Sequence, residues 1–139
     1  MRRMAAAISA AFGVAAIAVV ATLAAAPAGA PSTEVTVTIR YSAFVPSSVT
    51  VPRGVPVTFV LVNDDPIDHE WIVGDAALHE RHRTGTEPVH DLRPTEVTVP
   101  ALETRTTVVT FEESGEYHFI CHLPRHEDYG MVGIITVVG

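Results

Sequence analysis

The sequence predicts an all-β fold, an eight-stranded β-sandwich with one long loop and at most a short helix. Three observations carry that expectation. Val, Ile and Thr make up 38 of the 111 residues from Gly29 onward, a β-branched composition that suits a pleated surface. Apolar residues alternate in short runs rather than recurring at helical spacing. Turn signals separate the runs, at Pro52-Arg53-Gly54, Gly74, Pro100, Ser114-Gly115 and Gly130.

Each run can be justified in order. Glu34 to Arg40 alternates cleanly, with Val35, Val37 and Ile39 on one face. Ser48 to Val51 is short and stops at the first turn signal. Val55 to Val62 is longer and more continuously apolar. Glu70 to Val73 is another short piece. Ala76 to Glu80 is the one credible helical turn, inside a polar 75–94 stretch that reads as a long loop and carries three His residues. Thr95 to Val99, Thr104 to Phe111, Glu116 to Cys121 and Val132 to Val138 complete the set.

Composition bounds the function. At 139 residues the chain has room for one domain. Its first 28 residues hold Arg2 and Arg3, an uncharged apolar run and an Ala/Pro/Gly exit, the anatomy of a secretory signal. We expect cleavage after Ala28, leaving a 29–139 domain in the periplasm, cell envelope or extracellular space; an uncleaved anchor is the alternative, and the one expected route to a membrane. All sixteen acidic residues lie after residue 30, against seven Arg, so the exported part carries a net charge of −9. Such a surface repels phosphate backbones, which argues against a nucleic-acid partner. One Cys excludes an intrachain disulfide. No nucleophile triad, phosphate-cradling Gly loop or zinc-type Cys pair is evident, so no catalytic residue is assigned and no enzyme activity is expected.

Chemistry concentrates between Gly115 and Met131. In a strand, Tyr117, Phe119 and Cys121 share the core face, so Cys121 arrives where core meets loop. His126 follows five residues later and Met131 five after that. His69, just before the Glu70 strand, is the obvious second imidazole. A thiolate, two imidazoles and a weak thioether suit copper better than zinc or magnesium. A buried free Cys beside surface His residues is the bland alternative, but an exported unpaired thiol would oxidise or cross-link, whereas ligation accounts for it.

These residues resemble the cupredoxins, the plastocyanin and azurin type of blue copper protein, over nearly all of the exported chain. The early match is Phe44-x-Pro46-x-x-Val49-x-Val51-x-x-Gly54, with Val57 to Asn63 leading to His69; the late match is Gly115-x-Tyr117-x-Phe119-x-Cys121, then His126, Met131 and Gly133. The resemblance implies a Greek-key sandwich with one copper per chain on His69, Cys121, His126 and Met131. It also implies an electron port at His126, ringed by Leu123, Pro124 and Tyr129, where a redox protein docks. The acidic surface suggests a partner with a basic face, a cytochrome or a cuproenzyme. Two positions depart from the family. Glu70 stands where many members place an Asn that ties two ligand loops together, with Asn63 as a substitute. Cys121-His122 looks more like multicopper oxidases, yet no His-x-His pair is present to build their oxygen site. His79, His82, His90 and His122 are candidates for a second metal site, against the reading of a solvated loop and a solvent-facing His122. The expected function is single-electron transfer by copper cycling; the alternative is a copper carrier or scavenger that supplies a cuproenzyme, and a copper oxidase or reductase assembled across subunits ranks below both.

Overall fold

The structure, a computed structural model, describes residues 33–88, 91 and 93–139. The expected export segment, residues 1–28, and His90 lie outside the described residues. Among the described residues, nine strands form two sheets: β1 (Thr33–Arg40), β2 (Ala43–Val45), β3 (Ser48–Pro52), β4 (Pro56–Asn63), β5 (His69–Gly74), β6 (Glu96–Val99), β7 (Thr104–Thr110), β8 (Gly115–Ile120) and β9 (Val132–Val138), with one helix, α1 (Ala76–Arg83), between β5 and β6. One sheet has the order β2-β1-β4-β7 and the other β3-β9-β8-β5-β6. The pairs β1–β4 and β3–β9 are parallel; every other pair is antiparallel. None of the described residues belongs to a helix long and apolar enough to cross a membrane.

The alternation in the sequence becomes the packing between the sheets. Val37 and Ile39 of β1, Val57, Phe59 and Leu61 of β4, Trp71 and Val73 of β5, Phe119 of β8 and Ile135 and Val137 of β9 point into one core. Aromatic rings bridge the layers: Phe59 meets Trp71 at 4.8 Å between centroids, and Phe44 meets Phe119 edge-on at 5.0 Å.

The expected eight strands become nine because β1 and β2 form a hairpin that the sequence does not advertise. Its two-residue turn is Tyr41-Ser42, with φ of +55° and +53°. Turns of this hand favour Asn-Gly or Gly, so Tyr-Ser carries no signal. Both turn amides instead donate to the carboxylate of Asp65, at 2.7 and 2.8 Å, a partner supplied from over twenty residues away. The expected helical turn also grows, to eight residues. Asp75 caps it by accepting from the Leu78 amide at 2.8 Å, and Arg81, His82 and Arg83 occupy the last turn, where cations meet the helix dipole favourably.

Candidate metal centre

Three strand ends and one loop converge at one edge of the sandwich. His69 is the first residue of β5, held opposite Val99 of β6. Cys121 follows the last residue of β8, where the core-facing alternation of that strand carries its sulfur inward. The loop between β8 and β9 is tied at its base: the Cys121 amide donates to the Met131 carbonyl at 3.2 Å, and the Met131 amide to the His126 carbonyl at 3.0 Å. The His126 amide closes onto the Leu123 carbonyl at 3.0 Å. Arg125 (φ +73°) and Gly130 (φ +91°) take the left-handed backbone that lets this short loop fold back on itself.

The result is a compact donor set. Ligand atoms of His69, Cys121 and His126 all lie within 4.8 Å of one another. Cys121 Sγ sits 3.1 Å from His126 Nδ1, and the rings of His69 and His126 are 4.9 Å apart. Met131 is fully buried in the same loop. His69, Cys121 and Met131 are closed to solvent, while His126 is half-buried.

His69 shows which of its nitrogens would face an ion. Its Nε2 donates to Asp65 Oδ2 at 3.0 Å, since an ionised carboxylate can only accept. That bond leaves Nδ1 with its lone pair, and Nδ1 is buried without any hydrogen-bond partner. A buried orphan acceptor is costly unless something fills the place of the missing donor, and a metal ion does so. Burial, with His126 nearby, pushes the His69 imidazole below its usual range despite Asp65, which keeps the ring neutral and able to donate a lone pair. Burial works to raise the Asp65 carboxyl, but the Ser42 and Tyr41 amides and His69 outweigh it and hold it ionised.

Cys121 is the other half of the argument. Burial pushes its thiol up to about 11, although the Glu70 amide donates to Sγ at 3.3 Å. By itself the sulfur stays protonated at neutral pH; a bound cation supplies the charge that ionises it. A soft thiolate and two imidazoles whose donor atoms lie together, with buried Met131 in the same loop, fit copper.

The neighbouring residues divide as follows. Glu70 contributes through its backbone amide, and the tie is therefore independent of its side chain. Asn63 braces the approach to His69 rather than linking two ligand loops. Its Nδ2 donates to the carbonyls of Ile67, Val99 and Pro100 at 2.8 to 3.0 Å, and its Oδ1 accepts from the Asp65 amide at 3.0 Å. Asp65 is the site residue that the sequence reading missed; its only local signal is a carboxylate four residues before a candidate ligand. Around His126, Pro124 is exposed, Tyr129 is 72% exposed with the Arg125 guanidinium over its ring, and Leu123 packs against the core.

His122 corrects the expectation of a solvent-facing side chain. It is 5% exposed and packs under α1. Its Nε2 lies 2.9 Å from His79 Nδ1, and its ring stacks on that of His82 at 5.2 Å with 2° between the planes. His79 Nε2 in turn donates to the His118 carbonyl at 3.2 Å. So α1 does bring His79, His82 and His122 together, but the donor atoms that cluster are those of His82, Glu87 and Glu96.

Comparison with known proteins agrees with this geometry. The family model described as Cupredoxin-like domain matches residues 13–137. A curated relative, "Copper-resistant cuproprotein CopI" of Rubrivivax gelatinosus, is 34% identical over 97 residues, covering 68% of this chain. The chain spans 59% of that relative's length. Among solved structures, auracyanin B superposes with a TM-score of 0.66 at 23% identity, covering 81% of this chain and 93% of that one. Auracyanin A, a "blue" copper protein from Chloroflexus aurantiacus, gives 0.63 at 20% identity over 78% of this chain and all of its own. At those identities the likeness is one of fold.

Proposed function

Because this chain belongs to the cupredoxin-like family, we propose that it is an exported copper-binding protein that handles copper for the cell, holding it on His69, Cys121, His126 and Met131 and yielding it to a cuproenzyme. The observation that carries the reading is the convergence of three donor atoms within 4.8 Å around a buried, unpartnered His69 Nδ1. The copper-resistance name of the curated relative favours handling over electron traffic.

The chain's own residues do most of the work. Asp65 fixes the His69 tautomer and aims its free nitrogen inward. The Glu70 amide donates to the Cys121 sulfur and stabilises its anionic form. The Met131 and Cys121 backbone bonds tie the base of the loop. Bound copper would supply a one-electron change between Cu(I) and Cu(II). Half-buried His126 gives the site its one edge toward solvent, so exchange of metal or an electron would pass there.

A second reading is single-electron transfer to a redox protein, and pre-formed backbone ties around the ligands favour it, because a rigid site changes shape little between oxidation states. Turnover by an oxidase assembled across subunits loses support, since His122 is turned under α1 rather than toward a neighbour. The two leading readings separate in cells. Loss of the gene should lower copper tolerance, restored by the wild-type chain and not by Cys121→Ser. Unchanged tolerance, with a respiratory or photosynthetic electron-flow defect instead, would overturn the handling role and leave the shuttle.

A further inference from the structure

His82, Glu87 and Glu96 lie outside the site described above, and their donor atoms also fall within 4.8 Å of one another. The three come from the end of α1, the loop after it and the first residue of β6. Their side chains are 2%, 1% and 0% exposed. Two carboxylates so deeply buried need positive charge close by. Arg81 supplies part of it, with Nε 2.8 Å from Glu87 Oε2, and Arg93 adds more, with one NH1 reaching Glu96 Oε1 at 2.7 Å and Glu87 Oε1 at 3.4 Å. Those contacts leave Glu96 Oε2 buried with no hydrogen-bond partner. The orphan acceptor therefore belongs to a carboxylate of this cluster, and a bound cation would satisfy it.

We propose that His82, Glu87 and Glu96 form a second metal site, for a divalent ion of the zinc or copper(II) kind. One imidazole nitrogen and two carboxylates are a donor set for such borderline ions, whereas calcium and magnesium prefer oxygen alone. An ion there satisfies Glu96 Oε2 and releases Arg93, whose side chain is already 40% exposed and can turn to water. Two surface clefts border the cluster. A cleft of about 340 Å³ is lined by Asp91, Arg93 and Glu96, and another of about 330 Å³ by His82, His122 and Glu127. The ring stacked on His82 is that of His122, the residue after Cys121.

Zinc binding to the full chain tests the proposal without relying on copper colour. Cys121→Ser with His126→Ala removes two donors of the first site; this background should still bind one zinc per chain and melt at higher temperature when zinc is added. Adding Glu96→Gln or His82→Asn should abolish both the ion and the zinc-dependent rise in Tm. Either of those two variants suffices if the other fails to fold. Zinc stoichiometry and Tm response unchanged by them, or a background that binds no zinc, would overturn the site and identify the cluster as an ion-pair network only. Failure of the copper reading would look different: no thiolate-to-copper colour in the wild type, with this zinc site intact.

Discussion

Both oxygens of the Asp65 carboxylate are in use. One accepts from the Tyr41 amide, and the other from the Ser42 amide and from His69 Nε2. A single side chain thereby pins the β1–β2 hairpin and orients the imidazole of His69, a proposed copper ligand. Asp65→Asn keeps the shape, but removes the negative charge that strengthens His69 as a donor. It should weaken copper binding by about 10- to 100-fold, as loss of a partner behind a metal ligand typically does, and raise the reduction potential because Cu(II) loses more stabilisation than Cu(I). Competition titration and voltammetry check this; unchanged affinity and potential would show that Asp65 serves the hairpin alone. At this scale residue type and spacing singled out Cys121 and His126, and the fold does bring their donor atoms together with that of His69. Asp65 was not readable, because its role depends on a turn more than twenty residues distant. Glu96 was hidden for the same reason: a carboxylate on a polar-looking strand shows nothing of its burial until the loop after α1 covers it.

Strands β8 and β9 pair so that Phe119 lies opposite Gly133. A Cβ on Gly133 would overlap the Phe119 ring, which already packs edge-on against Phe44. Gly133→Ala should therefore cost about 1–3 kcal/mol by overpacking, visible as a lower denaturant midpoint with an unchanged m-value. A neutral effect would mean that the two strands can slide apart at no cost. Helix α1 is docked differently, through a buried histidine. His79 is pushed below its usual 6.5 mainly by burial, opposed by the His118 carbonyl, with Arg83 and His118 adding repulsion and Glu127 attraction. In the folded state the ring is neutral, and protonation would set its Nδ1–H against His122 Nε2. Because the unfolded chain takes up that proton first, stability is complete above about pH 6.5 and falls as pH drops through the lower folded-state value. The metal-free protein should melt at lower temperature at pH 5 than at pH 7.5, with a smaller difference in His79→Asn. A flat profile over that range would contradict the docking described. Alternation and turn residues made most strands legible. Strand β2 escaped because Tyr41-Ser42 lacks Gly or Asn, and α1 outran its expected turn because AALHERHR presents no apolar stripe.

On the scale of the whole molecule, two stacked sheets act as a clamp that brings together the proposed copper ligands from distant segments. His69 and Cys121 are 52 positions apart in sequence, yet Ile72 and Ile120, their near neighbours, are paired across β5 and β8. The sandwich class followed from short alternating strands, whereas the parallel β1–β4 and β3–β9 pairings that close it depend on long-range contacts no local pattern reports. The acidic surface, by contrast, is written directly in the composition. The central claim is that this clamp makes one copper site with Cys121 at its heart. Titrating the purified protein with copper while recording visible and EPR spectra tests it most directly. The account predicts one intensely coloured copper per chain, with the colour lost in Cys121→Ser and, in His126→Gly, returned by added imidazole. A protein that takes up copper without a thiolate-to-copper band, or whose colour survives Cys121→Ser, would contradict it.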